Sequence, residues 1–285
     1  MAGSKGQPMH SVFPSSSLLS VVVPVYNEEA TIGQVVDRVQ RLTFVKEVIV
    51  VDDGSTDATC RRVQDLRLPN VKLIRLDRNA GKTAAVRRGL QEVTGEITII
   101  QDGDLEYDPG EIRDVIWPIL QNKADVVYGS RFLIKRATRV LYFYHYLANK
   151  ALTFLSNMLT NVNMTDIETC YKAFRTPLIK QMPLSSTSFG MEVEITALIT
   201  KTRARLYEVP ISYYGRTYEE GKKISARDGL AAIWYILYDN LVVPPTSACR
   251  RYVREANAFL RNLAAQKEMA APQDDVRRAP TNPAA

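Results

Sequence analysis

Apolar residues along this chain fall into short continuous runs and longer periodic stretches, and the two kinds alternate. Leu18-Leu-Ser-Val-Val-Val-Pro-Val-Tyr26 is β-branched and too short for a helix, so it predicts a buried strand. Pro24 removes a ladder donor near its end, and Asn27-Glu28-Glu29 opens a helix over 31–42 with acids suited to a first turn. Glu47-Val-Ile-Val-Val-Asp-Asp53 predicts a second buried strand that ends in carboxylates. In the turn Gly54-Ser-Thr-Asp57, Thr56 or Asp57 can cap a helix over 58–66. A third strand is predicted at 71–76, a helix from Asn79 to Gln91, and a fourth strand at 96–100.

That fourth strand runs straight into Gln101-Asp-Gly-Asp-Leu-Glu-Tyr-Asp-Pro109, which places Asp102, Asp104 and Glu106 at alternate positions beyond an apolar run. Carboxylates at a strand exit cannot be buried unpaired without a cost of several kcal/mol, so they demand a counter-ion. Hard oxygen donors at this spacing suit Mg²⁺ or Mn²⁺, with a phosphate completing the shell. A lone Asp-x-Asp is more often a solvated loop. Here it ends a strand in an alternating strand–helix pattern, where ligands gather at carboxyl ends.

The alternation implies the α/β class: a Rossmann-like, mostly parallel sheet flanked by helices, with right-handed crossovers. Asp52 and Asp53 then share one edge with the acidic loop. An amphipathic helix at 112–120 leads to the strand Ala124-Asp-Val-Val-Tyr-Gly-Ser-Arg131, which ends in a cation. Residues 18–132 thus form a ligand-binding half, and 133–243 an elaborated second half. There, Leu141, Tyr144, Ala148, Leu152, Leu155 and Leu159 line one side of a helix over 140–159, with His145, Asn149, Thr153 and Ser156 opposite. Such a helix packs on the sheet or lies at a membrane, with Lys135, Arg136 and Arg139 just before it. The chain returns to the sheet over 165–175, forms a helix over 189–201, and makes a further strand from Leu206 in which Pro210 suggests an edge. A basic loop at 216–225 precedes a helix over 228–243. Residues 1–17 read as a flexible leader, and 244–285 as a basic helical tail with a disordered Ala/Pro-rich end.

Across 285 residues the formal net charge is +6, which favours phosphate-bearing partners or an anionic membrane surface. Nothing points to nucleic acid. No apolar run reaches about 18 residues, so no membrane span is expected, and no secretory signal is visible. Cys60, Cys170 and Cys249 make neither a zinc nor a disulfide pattern, which fits a reducing compartment. Gly81-Lys82-Thr83 lacks the earlier glycine of a P-loop, since Leu76 stands there, and no GxGxxG follows the first strand. Two histidines, His10 and His145, are too few for a His-based metal site.

Five motifs in order carry a resemblance: Val22-Val-Pro-Val-Tyr-Asn-Glu28, Val51-Asp-Asp-Gly-Ser-Thr-Asp57, Asn79-Ala-Gly-Lys82, Asp102-Gly-Asp-Leu-Glu106 and Gly129-Ser-Arg131. Together they resemble inverting family 2 glycosyltransferases of the GT-A fold. The second half, with Arg216 and Gly221-Lys-Lys-Ile-Ser225, is similar to the dolichol-phosphate mannose and glucose synthases. That branch moves a hexose from a nucleotide sugar, of GDP-mannose or UDP-glucose type, to a polyprenyl phosphate.

The resemblance implies roles for particular residues. Pro24, Tyr26 and Glu28 would line the nucleoside pocket, Asp53 would accept from the base, and Lys82 would lie near the nucleotide. Asp102, Asp104 and Glu106 would hold Mg²⁺ or Mn²⁺. Arg131 and Arg216, with Lys222 or Lys223, would bind the acceptor phosphate, so that Asp104, Arg131 and Arg216 form the catalytic set. A phosphate acceptor is already anionic and needs no general base. A hydroxyl acceptor would need one, with Asp166, Glu168 and Glu192 as candidates. The implied setting is cytoplasmic and peripheral, at the inner face of a membrane. Gly103 and Glu106 replace the family's Ala and Gln, and Lys222-Lys223 its Ser-Lys. The C-terminal spans of some relatives are not seen. Another acceptor (a diacylglycerol, a phosphorylated small molecule or a glycan hydroxyl) is the alternative, and a non-catalytic nucleotide-sugar-binding module is the reading from another class.

Overall fold

The computed structural model describes residues 18–133, 139–140, 142–187, 190–216, 219 and 226–270. The leader, Lys222, Lys223 and the Ala/Pro-rich end lie outside the described residues. The first half runs β1 (Leu19–Val25), α1 (Ile32–Gln40), β2 (Val45–Asp52), α2 (Thr59–Asp65), β3 (Val71–Arg75), α3 (Lys82–Leu90), β4 (Ile97–Ile100), α4 (Ile112–Leu120) and β5 (Val126–Ser130). The second adds α5 (Phe143–Thr160), β6 (Lys172–Arg175), α6 (Thr176–Lys180), α7 (Met191–Ile199), β7 (Leu206–Pro210), α8 (Ala226–Leu241) and α9 (Ser247–Ala270).

Among the described residues the strands form one sheet in the order β3-β2-β1-β4-β6-β5-β7. Strands β1 to β4 pair in parallel, and β7 pairs in parallel with β5. β6 runs antiparallel between β4 and β5, so both halves of the chain contribute to one sheet. β7 takes the edge, as Pro210 suggested.

β1 is buried at every position, and its alternation feeds two cores. Val21, Val23 and Val25 pack with Ile32, Val35, Val39, Ile112 and Ile116 on one face. Val22 joins Val86, Leu90, Phe174, Ile195, Ile236 and Tyr252 on the other. Burying each such side chain contributes about 1.5–3 kcal/mol. Gly89 lets α3 lie flush on β1, because a Cβ there would stand 2.6 Å from Val22 Cγ1.

The sheet decides where the chemistry collects. Parallel strands all end at one edge, bringing Tyr26–Glu28, Asp53–Ser55, Gln101–Glu106 and Arg131 together. Because β6 is antiparallel it starts at that same edge, adding Thr165–Tyr171. The exit of β7 is drawn over by a bridge between Tyr107 and Tyr213.

One helix differs in part from expectation. On α5, Leu152, Leu155 and Leu159 pack against the core as the apolar row predicts, but His145, Asn149, Thr153 and Ser156 also turn inward, while Phe143, Tyr144, Leu147, Phe154 and Met158 stay exposed. The polar row faces inward because Arg131 and the loop before β6 supply hydrogen-bond partners there. Among the described residues no helix is long and apolar enough to cross a membrane.

Candidate active site

At the β1 and β2 exits the backbone is stitched side to side. Ser55 Oγ accepts from Asn27 N–H at 2.9 Å, Thr59 Oγ1 from Glu28 N–H at 2.9 Å, and Asn27 Oδ1 from Thr56 N–H at 2.9 Å. Pro24 is buried within β1, and Tyr26 beyond it is exposed. Asp53, expected to accept from a base, also braces the neighbouring loop. Its two oxygens accept from Ala80 N–H and Gly81 N–H, each at 2.8 Å. A carboxylate only 3% exposed must be satisfied, and the loop before α3 offers two donors. Gly54, at φ +74, lies so close to that loop that a Cβ would be 2.8 Å from the Arg78 carbonyl carbon.

Lys82, at the start of α3, reaches Asp102 Oδ1 at 2.7 Å, Glu192 Oε1 at 3.1 Å and Cys170 Sγ at 2.9 Å. Burial opposes its charge, but the Asp102 and Glu192 carboxylates outweigh that and hold the ammonium well above its ordinary value. The Cys170 thiol is pushed up by burial and by Asp102, so it stays neutral. No local sequence pattern marks Cys170 as part of a site. Only the antiparallel return of the chain before β6 brings it to Asp102.

Asp104 Oδ1 accepts from Glu106 N–H at 3.1 Å, and Arg216 Nη2 stands 3.9 Å from Oδ2. Burial, together with the charges of Asp102 and Glu106, pushes its carboxyl up to about 7. Glu106 instead holds the segment after β7: its oxygens accept from Tyr213 O–H and from Arg216 N–H, both at 2.8 Å. Arg216 donates to both Glu28 oxygens, at 3.0 Å and 2.7 Å. The structure thus brings Glu28, Asp104, Glu106 and Arg216 together, on the acidic side of the cleft.

Arg131 follows β5 and is mostly buried. Its Nε and Nη2 donate to Asp166 at 2.7 Å and 2.8 Å, and Nη2 reaches Asn149 on α5 at 3.3 Å. Its guanidinium lies 5.2 Å from the Tyr213 ring centre, a cation–π contact. Burial disfavours a charged Asp166, yet the Arg131 charge and hydrogen bonds hold it below the usual carboxylate range. Glu208 on β7 fixes this loop by accepting from Thr165 N–H and Asp166 N–H.

Of the three carboxylates considered as a base, Asp166 is therefore tied to Arg131 and Glu192 to Lys82. Glu168 differs. Its Oε1 is buried without a hydrogen-bond partner, and burial plus the Glu192 charge push its carboxyl up to about 7. Lys172, buried beneath it, donates to the Ile167 and Thr169 carbonyls and lies over the Tyr128 ring.

Among the described residues no three His, Cys, Asp or Glu side chains converge as a metal cluster. The donor chemistry of Asp102 and Asp104 nonetheless fits a divalent cation. Two half-buried carboxylates stand close together, Lys82 pairing with one while Arg216 stands 3.9 Å from the other. Glu106 fits less well, because both its oxygens already accept hydrogen bonds.

The glycosyl transferase family 2 profile matches residues 20–182. The chain belongs to glycosyl transferase family 2. It is similar to a dodecaprenyl-phosphate galacturonate synthase of Rhizobium johnstonii, 29% identical over 238 residues that cover 81% of this chain and 68% of that protein. A dolichol-phosphate mannosyltransferase of Pyrococcus furiosus is 30% identical over 212 residues, 72% of this chain and 58% of that one. A UDP-N-acetylglucosamine–dolichyl-phosphate N-acetylglucosaminyltransferase of Methanococcus voltae is 25% identical over 78% of this chain and 96% of its own length. In structure, the Mycobacterium tuberculosis glucosyl-3-phosphoglycerate synthase, solved with Mn²⁺, UDP and glucosyl-3-phosphoglycerate, superposes with a TM-score of 0.63 at 20% identity, over 87% of this chain and 88% of that one. At that identity the likeness bears on the fold alone, and the fold is GT-A. This family 2 protein is a glycosyltransferase.

Proposed function

We propose that this enzyme transfers a hexose, with inversion, from a nucleotide sugar of GDP-mannose or UDP-glucose type to a polyprenyl phosphate. The observation that carries the reading is one chain of contacts linking an acidic pole to a cationic one. Arg216 and Glu106 stand beside Asp104, Tyr213 bonds Glu106, and Arg131 lies against the Tyr213 ring. The names of the relatives support the acceptor class.

In this reading Asp102 and Asp104 would hold Mg²⁺ or Mn²⁺, which would offset the negative charge that builds on the nucleoside diphosphate. Lys82 sits beside Asp102 and stays charged throughout. Glu28 and Glu106 hold Arg216 against the acidic loop, and Asp166 holds Arg131 in one orientation for the acceptor phosphate. That phosphate is already an anion. Its oxygen attacks the anomeric carbon in line as the bond to the diphosphate breaks, so positioning and charge stabilisation carry the rate. A polyprenyl acceptor sets the enzyme at the inner face of a membrane.

The test is nucleoside diphosphate release by purified protein with Mn²⁺ across UDP and GDP sugars, with and without a short polyprenyl phosphate in detergent. Stimulation by the lipid phosphate is the expected result. Slow release indifferent to it rejects this acceptor.

A second reading, a hydroxyl acceptor on a diacylglycerol or a glycan, is favoured by Glu168 alone. Its unpartnered oxygen and its raised protonation range suit a general base.

A further inference from the structure

Two helices of this enzyme carry exposed apolar residues on their outer faces, although their inner faces pack on the core. On α5, Phe143, Leu147 and Phe154 are exposed, spaced so that they share one stripe. On α8, which packs beside α5, Ala232, Ile236 and Asp239 are buried while Leu230, Trp234 and Leu241 are exposed, again along one stripe. Phe154 is 69% exposed and Trp234 64%. Scattered apolar residues on a surface need no explanation, but an exposed apolar stripe on each of two helices in contact is a surface that water does not favour.

The chemistry of the patch selects its occupant. α5 carries no acidic residue along its length, and of the two on α8, Asp239 is buried and Asp228 occupies a position outside the Leu230, Trp234 and Leu241 stripe. Trp234 and Tyr238 stack with ring centres 6.1 Å apart, and such amphipathic rings suit the headgroup level of a bilayer. The patch is also continuous with the cleft. The inner face of α5 touches Arg131 through Asn149, and Tyr146 packs edge-on against Phe132 at 5.3 Å. A phosphate held at Arg131 would therefore have its hydrocarbon chain leave beside α5.

We infer that the exposed stripes of α5 and α8 form a single docking face that inserts into the interfacial layer of a lipid bilayer and sets the Arg131 end of the cleft against it. The choice of a bilayer rests on the lipid-phosphate reading, and the test separates the two.

Full-length protein is sedimented with vesicles of phosphatidylcholine and phosphatidylglycerol. The wild type should partition to the vesicles, and the combined variant Phe154→Ser, Trp234→Ser, Leu241→Ser should partition at least about tenfold less. The same variant should transfer sugar to a short, detergent-dispersed prenyl phosphate at the wild-type rate, because all three side chains are exposed and none is a residue of the site. Fluorescence supplies a measurement free of folding defects, since Trp117 and Trp234 are the two tryptophans of the chain. Vesicles should blue-shift the emission of Trp117→Phe and leave that of Trp234→Phe unmoved. Equal partitioning of variant and wild type would overturn the proposal. So would a wild type that ignores vesicles, or one that forms a dimer in sedimentation velocity which the triple substitution dissolves. Vesicle binding without any lipid-stimulated transfer in detergent would instead overturn the acceptor reading and leave the docking face standing.

Discussion

Arg216 and Glu28, 188 positions apart, meet through two parallel N–H···O bonds of 3.0 Å and 2.7 Å. Both side chains are only partly exposed, and the Arg216 backbone N–H is fixed in turn by Glu106. A bidentate charge-assisted pair adds direction as well as energy. Glu28→Gln keeps the shape and removes the charge, so kcat/KM should fall about 10–100-fold, the equivalent of roughly 1.5–3 kcal/mol. Steady-state kinetics at saturating acceptor check this. Wild-type kcat/KM in Glu28→Gln would remove the pair from the mechanism.

Asp166→Asn tests the other guanidinium. It leaves Arg131 buried without its counter-charge, a change that typically costs about 3–5 kcal/mol. Urea unfolding should register the loss. The pH dependence has a definite sign, because Asp166 is held below its ordinary value in the folded state. Its contribution is fully present above about pH 4 and disappears as pH falls through the folded-state value. The Asn variant should lack that acid-side decline.

Asp104→Ala should abolish Mn²⁺-dependent binding of the nucleotide sugar in titration calorimetry while leaving the fold intact. Unchanged donor affinity would refute the metal assignment, since Asp104 and Asp102 are the carboxylates best placed to supply it.

Gly54→Ala probes the loop before α3. The φ of +74 and the 2.8 Å approach to the Arg78 carbonyl carbon leave no room for a methyl group. A left-handed backbone costs an L-residue roughly 1–2 kcal/mol, and the loop must also move away from Asp53. Donor affinity should drop by about tenfold or more, with Asp53→Asn giving a parallel loss because it releases the same two N–H groups.

Glu168 carries the opposite pH signature to Asp166. Its carboxyl is raised from 4.5 to about 7 in the folded protein, so the native state binds more protons than the unfolded one between those values. Stability should fall as pH rises through that window. Unfolding at about pH 5 and about pH 8 should show a smaller difference in Glu168→Gln than in the wild type. An identical slope would mean the group titrates normally.

Much of the site could be read from the chain, for a local reason. Asp52-Asp53 and Asp102 to Glu106 follow runs of β-branched residues, and parallel strands deliver whatever follows them to one edge. The alternation of runs therefore gave both the sheet and the candidate ligands. The partners of those residues were out of reach. Asp53 also holds Ala80 and Gly81, and backbone N–H groups leave no trace in side-chain patterning. Cys170, Glu208 and Tyr213 belong to the site through β6 and β7, whose positions in the sheet follow from long-range pairing.

The sequence by itself therefore determined the α/β alternation, the acidic strand exit, the cation after β5 and the family. Each depends on neighbours within a few residues, where periodicity and turn chemistry act. Only the tertiary structure decided which charges pair: Arg216 with Glu28, Arg131 with Asp166, Lys82 with Asp102. It also decided that α5 turns its polar row inward. A helix displays both its faces in its sequence, but which one is buried depends on the surfaces it meets, and Arg131 and the loop before β6 come together only when the sheet is complete.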